Sequence, residues 1–301
     1  MSFLHAIVEP GFFSSNVIAT ALVIGCLTAV ISAVVGTFTV LRSQSFMGHA
    51  LSDIGTTGGA AAYLAGVPTL YGFILINLAT SGFLEALGIK SKKERDVATG
   101  VILGGALGLA SLFLYLDTTN TSTSGDTMNL LFGSILTIQS SIEPLFIALA
   151  ALALMFIVVT YRQLLLASLD PDLLRVKNRS PQLASIAFLV ALSLAVAMSA
   201  IAIGTILSTA LLIGPAAAAV RLGRNMRAVF VYSSTIGVLS IFFGVLLSYD
   251  SYNWPPFHHG WPVSFFVVSI IFITYLVTLF IKPRSKSYGP ARLDTQRSTD
   301  V

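Results

Sequence analysis

The chain has 301 residues, of which 55% are hydrophobic and only 10% charged, and its formal net charge is +4. A soluble globular protein carries about 25% charged residues, so this composition, with a mean hydropathy of +0.87, excludes a water-covered enzyme. It predicts an all-α, polytopic membrane protein, for which the small basic excess says little about nucleic acid and no nucleic-acid partner is expected.

Residues 1–16, MSFLHAIVEPGFFSSN, mix Phe3, Leu4, Ile7, Phe12 and Phe13 with Glu9 and Pro10. They suit a short segment lying in the membrane interface, with His5 as an interfacial residue. No charged region precedes a cleavable apolar one, so no removable signal peptide is expected. Apolar stretches of about 20 residues, the length a bilayer core requires, follow near 17–41, 68–88, 96–116, 141–160, 181–199, 203–221, 228–248 and 262–281. The one cysteine, Cys26, sits in the first of them, cannot close an internal disulfide and reads as a packed core residue.

A shorter segment, 49–65, can cross only if neighbouring helices cover its polar face, which makes about eight to nine membrane helices. Loop charge supports the ninth. Lys90, Lys92, Lys93 and Arg95 form one basic loop, Arg162, Arg175, Lys177 and Arg179 a second, and Arg221, Arg224 and Arg227 a third; the tail 282–301 is the fourth. The alternate loops, 117–140 with Asp117 and Asp126, and 249–261 with Asp250, hold no Lys or Arg. The positive-inside rule puts the basic loops and the C-terminus in the cytoplasm, and the parity works only if 49–65 is a crossing.

The run TTNTSTSG (118–125) reads as a polar external loop, and 127–138 as a short re-entrant or interfacial helix. Gly100, Gly104, Gly105 and Gly108 have the spacing of ordinary close helix packing. Residues 282–301, with Pro283 and Pro290, read as a disordered tail. No domain boundary or internal repeat is visible, so 1–301 is expected to be a single membrane domain.

Chemistry concentrates in RSQSFMGHALSDIGTTGG (42–59). His49 and Asp53 are four residues apart, so on a helix both side chains point at one volume. An imidazole and a carboxylate together suit Zn²⁺, Mn²⁺ or Fe²⁺. With a helix starting near Met47, Asp53 lies roughly 9 Å along it, beyond easy reach of the inner surface. Thr56, Thr57, Gly58 and Gly59 are expected to leave space beside this helix. Two donors are fewer than the four to six a closed site takes. Residue chemistry leaves two readings open, a metal-transit site or a structural His–Asp hydrogen bond.

Three other features stand apart from this segment. In the stretch 161–180, YRQLLLASLDPDLLRVKNRS, Asp170 can cap a helix beginning at Pro171, and Leu164, Leu165, Leu166, Leu173, Leu174 and Val176 give it an apolar face. It fits either a groove on a soluble partner or an interfacial helix on lipid headgroups. His258 and His259 are adjacent and make a poor chelate, so WPPFHHGWP reads as an interfacial aromatic belt with Trp254 and Trp261. Glu85 and Glu143 read as interfacial. GxxxxGK[ST], H-E-x-x-H and G-x-S-x-G motifs are all missing, so this chain is not expected to be an enzyme.

In order, VEPGFF, GTFTVLRSQSFMGHALSD, KKERDVATGVILGGALGL, SLDPDLL, GTILSTALLIGPAAAAVRLGRN and GVLLSYD resemble the permease subunit of bacterial ABC importers for zinc, manganese and ferrous iron. The similarity covers nearly the whole chain. It implies a fold like the cobalamin-type (type II) importer permease in a bacterial cytoplasmic membrane. It also implies two copies of the subunit, two cytosolic ATPases that hydrolyse the ATP, and an extracellular or periplasmic metal-binding protein. The coupling element to the ATPase would then be Leu164, Leu165, Leu169, Asp170, Pro171, Asp172 and Leu173. The cargo would be Mn, Zn or Fe, with no permanently bound cofactor. The family pattern runs G-D-A-L-S-H, whereas Gly48-His49-Ala50-Leu51-Ser52-Asp53 exchanges the two ligand types. That exchange raises an alternative cargo, a metal chelate or other small ligand.

Overall fold

The computed structural model describes residues 12, 15–89, 91–121, 124–133, 135–169, 181–254 and 260–281. Among these, every regular element is helical: α1 (Asn16–Leu41), α2 (Ser45–Leu64), α3 (Thr69–Ala86), α4 (Lys92–Thr121), α5 (Ser124–Phe132), α6 (Glu143–Leu169), α7 (Pro181–Ile203), α8 (Thr205–Leu222), α9 (Met226–Asp250) and α10 (Val263–Phe280). Short 3₁₀ turns join some of them. Eight of these helices are long and apolar enough to cross a membrane, and α2, at 20 residues, has the length with less apolar character. In lipid every backbone group must find its partner within the segment, which helices alone provide here.

Helix α7 is the axis of the bundle. Of its apolar window 83% is buried, against 11% for that of α4. Around α7 stand α1, α3, α6 and α8; α2 is held between α3 and α4 on one side and α7 and α8 on the other, and α9 and α10 close the far side. The larger core cluster joins Phe38, Leu51, Phe73, Phe146, Phe188 and Leu192. A second, built on Phe12, Ile135, Ile203, Ile241 and Val267, closes the other flank. Close van der Waals contact through small residues holds such a bundle, because lipid is as apolar as the side chains.

Two expected boundaries move. Helix α4 runs on to Thr121, so 118–121 are helical rather than loop; Thr118 and Thr119 satisfy their hydroxyls by donating back to the Tyr115 carbonyl at 3.0 Å. Helix α6 likewise continues through Leu169, so 161–169 extend a long helix instead of starting a separate one. The 127–138 segment divides into the end of α5 and a 3₁₀ turn at Ile135–Thr137. Gly133 and Gly204, both at positive φ (75° and 90°), meet backbone to backbone, and a Cβ on either would overlap main-chain atoms of the other segment. That contact seats the turn against the α7–α8 corner.

At the end of the bundle that carries Arg42 and Arg95, the Arg95 Nη2 donates to Glu85 Oε2 at 3.2 Å, and the Ser185 hydroxyl donates to the same oxygen at 3.2 Å. The Arg42 guanidinium lies 4.9 Å over the Phe188 ring. Burial lowers Arg42 to about 10, Arg95 adds to that push and Glu85 opposes it. Glu85 therefore sits near its helix end as expected, and it also ties α3, α4 and α7 together. Glu85→Gln leaves a partly buried Arg95 without its counter-ion. It is expected to destabilise the bundle by about 2 kcal/mol, between the values for exposed and buried pairs, read as a lower melting temperature in detergent.

Candidate functional site

The site is built on α2, and the chain enters it through a tight turn. Ser43 adopts φ 52°, and the amides of Arg42, Ser43 and Gln44 donate to the carbonyls of Phe38, Val40 and Thr39. Those bonds satisfy the last carbonyls of α1 and launch α2 in the opposite direction. Gly48 lets α8 come close, since a Cβ there would stand 2.8 Å from Leu212 Cδ2. The Ser52 hydroxyl, 0% exposed, fastens the two helices by donating to the Thr205 carbonyl at 2.6 Å and meeting the Ser208 hydroxyl.

His49 and Asp53 fall on one face of α2, as their spacing requires. The imidazole Nε2 stands 3.6 Å from Asp53 Oδ2, and the two side chains are 48% and 22% exposed. Most of the remaining α2 surface is buried. A separation of 3.6 Å is too long for a hydrogen bond. The distance is that of an ion pair; two donors bound to one ion by ~2.1 Å bonds at a tetrahedral angle stand about 3.4 Å apart, so both atoms can also reach a single ion. The other imidazole nitrogen, Nδ1, lies 3.1 Å from the Thr209 hydroxyl of α8. Among the described residues no group of three or more His, Cys, Asp or Glu gathers; the chain offers two donors on a half-open face.

The glycines after Asp53 do not leave the space expected of them. Gly58 and Gly72 bring α2 and α3 into backbone contact, and the Phe73 ring lies against Gly55 and Gly59. The Thr57 hydroxyl is spent on the Ala106 carbonyl of α4, at 2.7 Å. The open side of α2 is the one bearing Phe46, His49 and Asp53.

The other candidate residues are scattered. Leu164 is 0% exposed and belongs to the core, so its side chain faces inward rather than toward a partner; Leu165 is half-buried and Leu169 is the last residue of α6. Asp170, Pro171, Asp172 and Leu173 lie outside the described residues, as do residues 1–11, His258, His259 and the tail 282–301. Trp254 and Trp261 do form an aromatic group, with ring centroids 6.1 Å apart, beside Phe265 and Phe266. Next to it a cavity of about 600 Å³ opens between Phe132, Leu136, Tyr249, Tyr252 and Trp261. Sequence reasoning missed Thr209, which is one threonine in an apolar helix with no local signal; only the α2–α8 approach reveals it.

The sequence pattern described as the ABC 3 transport family matches residues 14–281. The chain is 30% identical over 274 residues to the manganese import system permease protein ScaB of Streptococcus pneumoniae, covering 91% of this chain and 92% of that one. It is 29% identical over 254 residues to the manganese transport system membrane protein MntC of Listeria innocua, covering 83% and 86%. The solved structure of PsaBC from Streptococcus pneumoniae in complex with Fab superposes with a TM-score of 0.77 at 25% identity, over 91% of this chain and 94% of that one.

Proposed function

Because the chain belongs to the ABC 3 transport family, we propose that it is the membrane permease subunit of an ATP-driven importer that moves a divalent metal ion into a bacterial cell. Manganese is the first candidate, since relatives that align over most of their length are named for manganese import. At the residue level the reading is supported by the 3.6 Å approach of His49 Nε2 to Asp53 Oδ2 on a half-open face of α2. Ionisable groups at membrane depth are costly and mark ion paths.

The rest of the machine follows from chemistry the chain lacks. No nucleotide-binding motif is present, so cytosolic ABC ATPases would supply the energy, docking through Leu165, Leu169 and the stretch Asp170–Leu173. An external metal-binding protein would deliver the ion at the face opposite the basic loops, and the positive-inside rule sets that orientation in the cytoplasmic membrane. Two donors do not complete a metal site, so a second copy of the chain would face this surface and bring its own pair. Helix α4 supports that arrangement: Gly104, Gly105 and Gly108 have no atom within 4 Å of where a Cβ would stand, leaving a small-residue face on which another helix can pack closely. The exposed apolar residues elsewhere, among them Leu75, Val158, Val159 and Phe280, would meet lipid.

Uptake of radioactive manganese by cells producing the chain with its neighbouring ATPase and binding protein tests the reading. Accumulation that depends on the chain, competed by free manganese or zinc, supports it. Accumulation competed only by a preformed chelate shifts the cargo to that chelate, and no accumulation of either contradicts it.

A further inference from the structure

His49 has two ring nitrogens with different neighbours. Nε2 faces Asp53 at 3.6 Å and Nδ1 faces the Thr209 hydroxyl at 3.1 Å. An imidazole that binds a metal through one nitrogen donates the N–H of the other to an acceptor, which fixes both tautomer and ring orientation. We infer that Thr209 is a positioning residue for the cargo site: its Oγ1 accepts the Nδ1–H of neutral His49 and so turns the Nε2 lone pair toward the volume shared with Asp53. This inference rests on the His49–Asp53 reading and adds which nitrogen meets the ion and what holds it there.

Three features of the fold support the role. Thr209 comes from a different helix, so the bond fixes the ring against α8 as well as along α2. Thr209 is flanked by the seam in which Ser52 bonds the Thr205 carbonyl and meets Ser208, and Gly48 permits the approach at Leu212; the acceptor is therefore held by packing and not by its own side chain alone. Finally, His49 is 48% exposed and Thr209 is its one hydrogen-bond partner among the described residues, so without it the ring is held only by its packing on α2 and its longer approach to Asp53. The ion, manganese or another borderline divalent cation, would then meet a less firmly oriented donor.

Loss of such an outer partner costs about 10–100-fold in metal affinity. The test measures manganese binding by the purified permease–ATPase complex, without the external binding protein, carrying Thr209→Val, Thr209→Ser or His49→Ala. Thr209→Val removes the acceptor at nearly equal volume. It is expected to raise the Kd for manganese by about 10–100-fold, while Thr209→Ser keeps Kd near the wild-type value. A residue that merely packs would lower the amount of complex recovered and leave Kd alone. Unchanged Kd in Thr209→Val, with binding abolished in His49→Ala, overturns the inference and leaves the pair in place; unchanged binding in His49→Ala overturns both. Should Thr209→Val fail to insert, Thr209→Ala against Thr209→Ser reads the same Kd difference.

Discussion

Asp53→Asn is expected to lower metal uptake by at least about 100-fold, more than the loss of an outer partner costs, while the protein still inserts and still binds its ATPase. Asparagine has nearly the same volume as aspartate, and among the described residues the polar contact of Asp53 is its 3.6 Å approach to His49, so the fold loses at most one half-exposed ion pair, worth about 0–1 kcal/mol. A carboxylate at membrane depth costs about 2.5–3.5 kcal/mol on insertion scales, so the amide should insert at least as well. On the proposed function the carboxylate is kept for an ion that visits it. Uptake by membranes with matched amounts of the two proteins checks this; wild-type rates in Asp53→Asn would mean the pair is structural.

The largest effect on assembly is expected from Gly58→Val. A Cβ at Gly58 would overlap the Gly72 carbonyl and the Ile76 side chain, and a backbone atom cannot rotate away. Helices α2 and α3 would have to separate, at a cost of about 3 kcal/mol, the upper part of the usual range for overpacking. The separation would also displace Phe73 from Gly55 and Gly59. Protein level and melting temperature in detergent should both fall. Gly104→Val provides the contrast. Open space surrounds that position, so the single chain should fold as before, while association of two copies through α4, if they meet there, weakens. Equal melting temperatures for Gly58→Val and wild type would contradict the packing described for α2.

How much of this could be read beforehand depended on the range of the interaction. Spanning helices announce themselves because lipid demands an uninterrupted apolar length: the stretches 17–41, 68–88 and 228–248 correspond to α1, α3 and α9 within a few residues. Helix α2 is less apolar and was legible only indirectly, from loop charge and from the pairing of His49 with Asp53. The i, i+4 geometry is local, so that pair could be placed on one face from spacing alone. Contacts between distant segments left no such trace. Gly58 reads equally well as a gap or as a close approach, and the partner that decides, Gly72, is on another helix. Leu164 looked like part of an amphipathic docking face, and the continuation of α6 turned it into the core. The Glu85–Arg95–Ser185 group and Thr209 exist only where helices meet.

On the proposed function, the cargo ion is held by the imidazole of His49 together with the carboxylate of Asp53. Electron paramagnetic resonance of the purified permease–ATPase complex loaded with manganese, without the external binding protein, tests it most directly, because a coordinated imidazole nitrogen modulates the spin echo of the metal. Nitrogen modulation is expected in the wild-type complex and is expected to disappear in His49→Ala. Nitrogen modulation that persists unchanged in His49→Ala, or manganese bound in the wild type with no nitrogen coupling at all, would contradict it.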